Sequence, residues 1–147
     1  MAHGHLRRIT AGAAVVAIAA STQLVGGGAA QAAPAAPSAS QLQGKLQIVM
    51  NRALPVSTRT AELADPSALT GANNISGLWD TFQWAFNPYQ VQGASTSGNN
   101  TSATLAVSLR TTGQTKTWPL QWVAVGDSWK LTKGTVCNLA AEFRTTC

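Results

Sequence analysis

The chain has 147 residues, of which 45% are hydrophobic and 10% charged, with 10 Lys+Arg against 5 Asp+Glu. Its two histidines, His3 and His5, stand at the extreme N-terminus. Everything downstream therefore lacks the usual proton acceptor near neutral pH, which excludes Ser-His-Asp and Cys-His catalysis and removes the commonest metal ligand.

The N-terminal segment reads as an export signal. Arg7 and Arg8 give a positive start, Ala11 to Ala20 is a short apolar run, and Ala30-Gln31-Ala32 offers the small side chains that signal peptidase accepts. A spanning helix needs roughly 20 apolar residues. The run here is interrupted by Ser21-Thr22-Gln23, so cleavage rather than anchoring is expected, with residues 1–32 removed and the mature chain starting at Ala33. The Arg7-Arg8 pair resembles a twin-arginine signal, but its flanks do not extend that pattern, and the ordinary secretory route is expected. Residues 33–38 (APAAPS) are rich in Ala and Pro and predict an extended, mobile leader. Residues 39–147 then form one domain, and no segment in them could span a membrane.

After the signal, eight basic side chains face five acidic ones, a net of +3, and the basic ones are scattered. A nucleic-acid reader gathers them into a stripe, so no nucleic-acid partner is expected. Cys137 and Cys147 lie in the exported part. In an oxidising compartment they are expected to pair and close a loop of about ten residues, while two free thiols or one redox-active thiol remain the alternatives. With no histidine beside them, two cysteines do not make a closed zinc site.

Leu42, Leu46, Val49 and Met50, flanked by Ile48 and Leu54, follow helical spacing and predict an amphipathic helix over residues 38–54. Ser38 and Gln41 have the spacing of a capping box, and Pro55 stops the helix. A short helix is expected over residues 58–64, a loop over 67–71 and a turn-rich stretch over 71–76. Ile75, Leu78, Trp79, Phe82 and Phe86 predict a second main helix over residues 76–85, with Trp84 off its stripe and Asn87-Pro88 beyond its end.

The remainder reads as β-structure. A short strand is expected over residues 89–95, followed by a turn at Gly98-Asn99-Asn100 and a strand in which Ala103, Leu105, Val107 and Leu109 alternate with Thr104, Ala106, Ser108 and Arg110. A turn at Gly113 leads to a strand over residues 115–125 with Trp118, Leu120, Trp122 and Ala124 on one face. Pro119 has no N–H for a ladder and predicts an edge or a bulge at that point. A turn at Gly126-Asp127 opens a last strand over residues 128–132 with Trp129 and Leu131 inward, and residues 137–143 predict a closing helix. Helices followed by an antiparallel meander of about four strands make a two-layer α+β domain.

The segments Gly126-Asp127-Ser128-Trp129-Lys130-Leu131 and Val136-Cys137-Asn138-Leu139, with the Ala/Pro leader and the helix start Pro37-Ser38-Ala39-Ser40-Gln41-Leu42, resemble the secreted low-molecular-weight antigen family (MTB type) of actinobacteria. The resemblance implies an exported protein and a cone of helices on a curved antiparallel sheet, similar to nuclear-transport-factor-like and cystatin-like domains. It brings no catalytic motif with it.

Three functional readings follow, one of them a purely structural or immunologically exposed surface protein with no ligand. Five tryptophans beside a concave fold suggest a non-catalytic binding module for the envelope or medium, without cofactor or metal. Its partner would be a small apolar ligand or an envelope component, held by Trp79, Trp118, Trp122 and Trp129. The alternative is a cofactor-free isomerase or hydrolase in which Asp80 acts as base and Tyr89 as hydrogen-bond donor inside the cone.

Overall fold

The structure is a computed structural model and describes residues 32–147; the expected signal segment lies outside the described residues except for Ala32. Helix α1 (Ala39–Met50) starts at a complete capping box: the Gln41 N–H donates to Ser38 Oγ, and the Ser38 N–H donates to Gln41 Oε1 at 2.8 Å. Leu42, Leu46 and Val49 point into the core. The helix stops at Met50, four residues short of the expected end, because Asn51 leaves the helical region and its side chain accepts from the Ala53 N–H. Pro55 instead caps the next helix, α2 (Val56–Thr60). Arg59 of α2 is buried and donates from Nε to the Val49 carbonyl at 2.8 Å, closing the end of α1. Burial, and secondly the neighbouring Arg52 charge, lowers its pKa.

Helix α3 (Leu69–Phe82) corrects the sequence expectation for residues 67–76. A 3-10 turn (Pro66–Ala68) capped by Asp65 leads directly into it, and the Gly71-Ala72-Asn73-Asn74 stretch is helical rather than a turn. Propensity is outweighed here by packing. A β-carbon on Gly71 would stand 2.9 Å from Cys147 Sγ and 3.0 Å from Val136 Cγ1, so the small residue lets the C-terminal end press against the helix. Ala72 and Ile75 are buried beside it. A second 3-10 turn (Gln83–Ala85) ends the helical run before Asn87.

The sheet is a four-stranded antiparallel meander in the order β1 (Gln90–Ser97), β2 (Asn100–Ser108), β3 (Thr115–Val125), β4 (Ser128–Leu131). Thr101, Ala103 and Leu105 pair across the ladder with Trp122, Leu120 and Trp118, so these residues share the core face. The register of β1 against β2 shifts between Gln92 and Ser95, where Gly93 takes φ +65°. A bulge of this kind bends its strand, and it curves the sheet around the helices. Pro119 pairs with Thr104 on one side, while β4 covers only Trp122 to Val125 on the other, so the proline sits where β3 is an edge, as its missing N–H requires.

Helix α4 (Lys133–Glu142) begins four residues earlier than expected because Thr132 caps it, accepting from the Thr135 N–H. Beyond it, Arg144 takes φ +54° and turns the tail back. The Cys137–Cys147 disulfide and a hydrogen bond from Asn74 Nδ2 to the Thr146 carbonyl fasten that tail to α4 and α3. The result is an α+β fold with helices packed on a curved sheet. At its N-terminal edge the Trp129 indole N–H donates to the Ala35 carbonyl at 2.9 Å, so the Ala/Pro leader is held at that residue rather than mobile throughout.

Candidate functional site

The helices do not cover the whole concave face. Toward the β3–β4 turn the sheet is sealed: Leu120, Trp122, Trp129 and Leu131 are each no more than 3% exposed. Toward the β2–β3 turn the face stays open as a groove of about 960 Å³. Its floor comes from Val107, Leu109 and Trp118 of the sheet side, one wall from Ile75, Leu78 and Trp79 of α3, and the other from Glu142 and Phe143 at the end of α4. Phe82, Trp84 and Phe86 form its lip.

The groove is mainly aromatic. Trp79 stacks on Phe86 with ring centroids 5.7 Å apart and meets Tyr89 edge-on at 5.2 Å. On the opposite side Trp118 leans on Phe143 at 5.4 Å. Offset and edge contacts of this kind hold rings in fixed orientations. One polar cluster stands at the rim: Glu142 Oε2 accepts from Trp118 Nε1 at 3.4 Å and lies 3.6 Å from Lys116 Nζ, which stands 5.3 Å from the Trp118 ring centre. A ligand with an apolar body and one polar end would match this arrangement.

Of the four tryptophans expected to form a site, Trp79 and Trp118 line the groove. Trp122 and Trp129 do not. They occupy the same sheet face nearer the sealed end, at 0% and 3% exposure, and serve as core. Alternation along a strand assigns the face of a residue and not how much of that face its neighbours cover. Trp84, 72% exposed, belongs to the lip. Its position off the helical stripe was the signal that it is not core.

The enzymatic alternative is not supported by the geometry. Asp80 follows Trp79 by one residue, about 100° around the helix, and is turned outward. It lies 3.6 Å from Arg52 with both side chains more than half exposed, and it lines neither the groove nor the smaller cavity of about 170 Å³ beside it. Tyr89 does line that smaller cavity, together with Gln43 and Gln47, and burial raises the pKa of its phenol. The expected acid and hydrogen-bond donor therefore do not share a cavity. Among the described residues no three His, Cys, Asp or Glu side chains gather in a manner that could hold a metal ion.

A family model described as low molecular weight antigen MTB12, C-terminal domain, matches residues 35–147. The chain belongs to that family. The match begins at Ala35, the residue whose carbonyl receives the Trp129 indole N–H. No curated protein matches the chain. Family membership agrees with the disulfide in indicating an extracellular, antigen-like protein. Among the described residues no helix is long and apolar enough to cross a membrane.

Proposed function

We propose that this antigen-family protein is exported by cleavage after Ala32 and works in the envelope or medium as a non-catalytic module that holds a small, largely apolar molecule. The observation that carries the reading is the open groove walled by Trp79, Phe82, Trp84, Phe86, Trp118 and Phe143. Its volume of about 960 Å³ is at the upper end of the range of small-molecule sites. Its walls rest on the core below and the disulfide-fastened tail behind, so the groove is formed before a ligand arrives and little ordering opposes binding.

The test is titration of the protein with the neutral apolar dye N-phenyl-1-naphthylamine, followed by its emission. Saturable binding of one dye per chain is expected. Trp118→Ala should weaken it about tenfold, the loss of one ring contact. Val56→Ser, which alters an exposed apolar side chain that does not line the groove, should leave it unchanged. Absence of saturable binding, or equal binding by the two variants, would end the reading. Native mass spectrometry of protein from the culture medium adds a second check: a mass beginning at Ala33 with one disulfide is expected.

A further inference from the structure

The lip of the groove carries chemistry that a dissolved ligand does not need. Phe82 is 48% and Trp84 72% exposed, and they stand within three residues of each other at the end of α3. Large exposed rings grouped on one edge mark a contact surface, and tryptophan with its polar N–H suits the boundary between water and lipid. The lip is held firmly against the sheet. The Arg110 N–H donates to the Ala85 carbonyl, Arg110 Nε donates to the Phe86 carbonyl, and Phe86 bridges to Leu109.

The charges are arranged to match. Lys45, Arg52, Lys116 and Lys133 each lie 2.7–3.6 Å from a carboxylate, and Arg59 is buried. Three further cations, Arg110, Lys130 and Arg144, have no carboxylate at ion-pair distance among the described residues, and the acid Asp127 has no cation at that distance. Arg110 is bonded to the lip, and Arg144 follows the groove residue Phe143. Asp127 sits in the β3–β4 turn, at the other end of β3 from the groove residue Lys116. Nine steps of strand from Lys116 to Val125, at about 3.3 Å each, separate those ends by roughly 30 Å. The molecule thus presents exposed rings with Arg110 and Arg144 at one end, while at the other Asp127 is accompanied by Lys130 of β4.

We infer that this end is a docking surface for an anionic phospholipid bilayer, with Trp84 and Phe82 entering the headgroup boundary and Arg110 and Arg144 meeting phosphates. The inference goes beyond the ligand reading. A bilayer is favoured over a second copy of the chain because two copies meeting at this end would bring Arg110 and Arg144 against their own equivalents, whereas an anionic surface draws both in.

The test uses the full chain with vesicles of phosphatidylcholine and phosphatidylglycerol, about 70:30, whose acyl chains carry bromine, and reads the quenching of tryptophan emission; the charge fraction is chosen to give a clearly negative surface. Quenching of part of the native emission is expected, and W84F should abolish it. Any attachment through residues 1–31 is common to both proteins and cancels in that comparison. R110Q and R144Q should each raise the lipid concentration for half-maximal quenching about fivefold, the effect of one cation at such a surface. Equal quenching in W84F and native protein, or native quenching that is the same on phosphatidylcholine alone, would overturn the inference. So would a Trp84-dependent dimer in sedimentation with no quenching, which would give the lip to a second copy. The dye titration reads the groove and the bromine quenching reads the lip, so either can fail while the other holds.

Discussion

The two ends of the concave face use the same residue type in opposite ways. At the sealed end Trp122 and Trp129 are packed out of solvent, opposite Leu131 and Ala124 in the ladder. At the open end Trp79 and Trp118 are only partly covered and meet other rings along a groove. A tryptophan that completes a core is replaceable by little else of its volume, whereas one that walls a groove can be shortened at the cost of the cavity it shapes. Coverage by neighbouring helices, and not residue identity, separates a sealed core position from a groove-lining one in this domain.

The sharpest way to break that comparison is to truncate one ring at each end. Trp122→Ala should lower stability by about 3–5 kcal/mol, the usual cost of emptying a large buried site. The indole Nε1 of Trp122 is buried and without a hydrogen-bond partner among the described residues, so Trp122→Phe should be much milder than the alanine variant. Trp118→Ala should cost no more than about 2 kcal/mol, since its ring already meets solvent, while reducing dye binding. Urea unfolding of the three variants decides the matter. Similar losses for Trp122→Ala and Trp118→Ala would mean that the groove is part of the load-carrying core.

What is legible in the sequence follows the same division. The capping box at Ser38, the stripe of α1 and the β3 span Thr115–Val125 were readable because local periodicity and local side-chain chemistry decide them. The sequence alone predicts that α3 starts at Ser76, since Gly71, Asn73 and Asn74 argue locally for a turn. What makes that stretch helical is its contact with the tail, more than seventy residues away, at Gly71 and Asn74. Site residues suffered similarly. The sequence groups Trp122 and Trp129 with Trp79 and Trp118, because the end of the sheet left uncovered depends on where α3 and α4 stop. The sequence alone predicts Asp80 inside the cone, yet one residue of helical rotation from Trp79 turns it outward.

The tail contact gives the next test. The disulfide Cys137–Cys147 closes a loop with a sequence separation of 10 and presses on α3 beside the groove wall. Replacing both cysteines by serine should cost on the order of 2 to 3 kcal/mol. Gly71→Ala, which puts a methyl group against Cys147 and Val136, should cost about 1–3 kcal/mol by overpacking. Because the tail braces α3 and α4 together, both variants should weaken dye binding more than their stability loss alone would, measured at a temperature where each remains folded. Unchanged binding in the folded variants would show that the groove stands without its brace.

The smallest effects come from pH, and they also divide between the two ends. Asp65, which caps the turn leading into α3, is held below the usual carboxylate value by hydrogen bonds from Ser67, with the Lys133 charge adding a lesser share. A depressed folded pKa contributes stability above the unfolded value of about 3.9 and loses it as pH falls through the folded value. Asp65→Asn should therefore flatten the acid side of the stability profile. Tyr89, packed against Trp79 beside the groove, is shifted the other way by burial, which disfavours the charged phenolate. A raised folded pKa means that the folded chain holds its proton longer, so stability is intact below the unfolded value of about 10 and is lost as pH rises above it. Tyr89 is the single tyrosine of the chain, so absorbance near 295 nm reads its ionisation without overlap from another phenol. The midpoint should lie above 10 in the folded protein and return to about 10 in urea. Tyr89→Phe should remove its share of the alkaline loss while the Asp65 effect at acid pH persists, since the two groups serve different ends of the molecule. A folded-state midpoint at or below that of the unfolded chain would place the phenol in solvent and rule out its edge-on contact with Trp79.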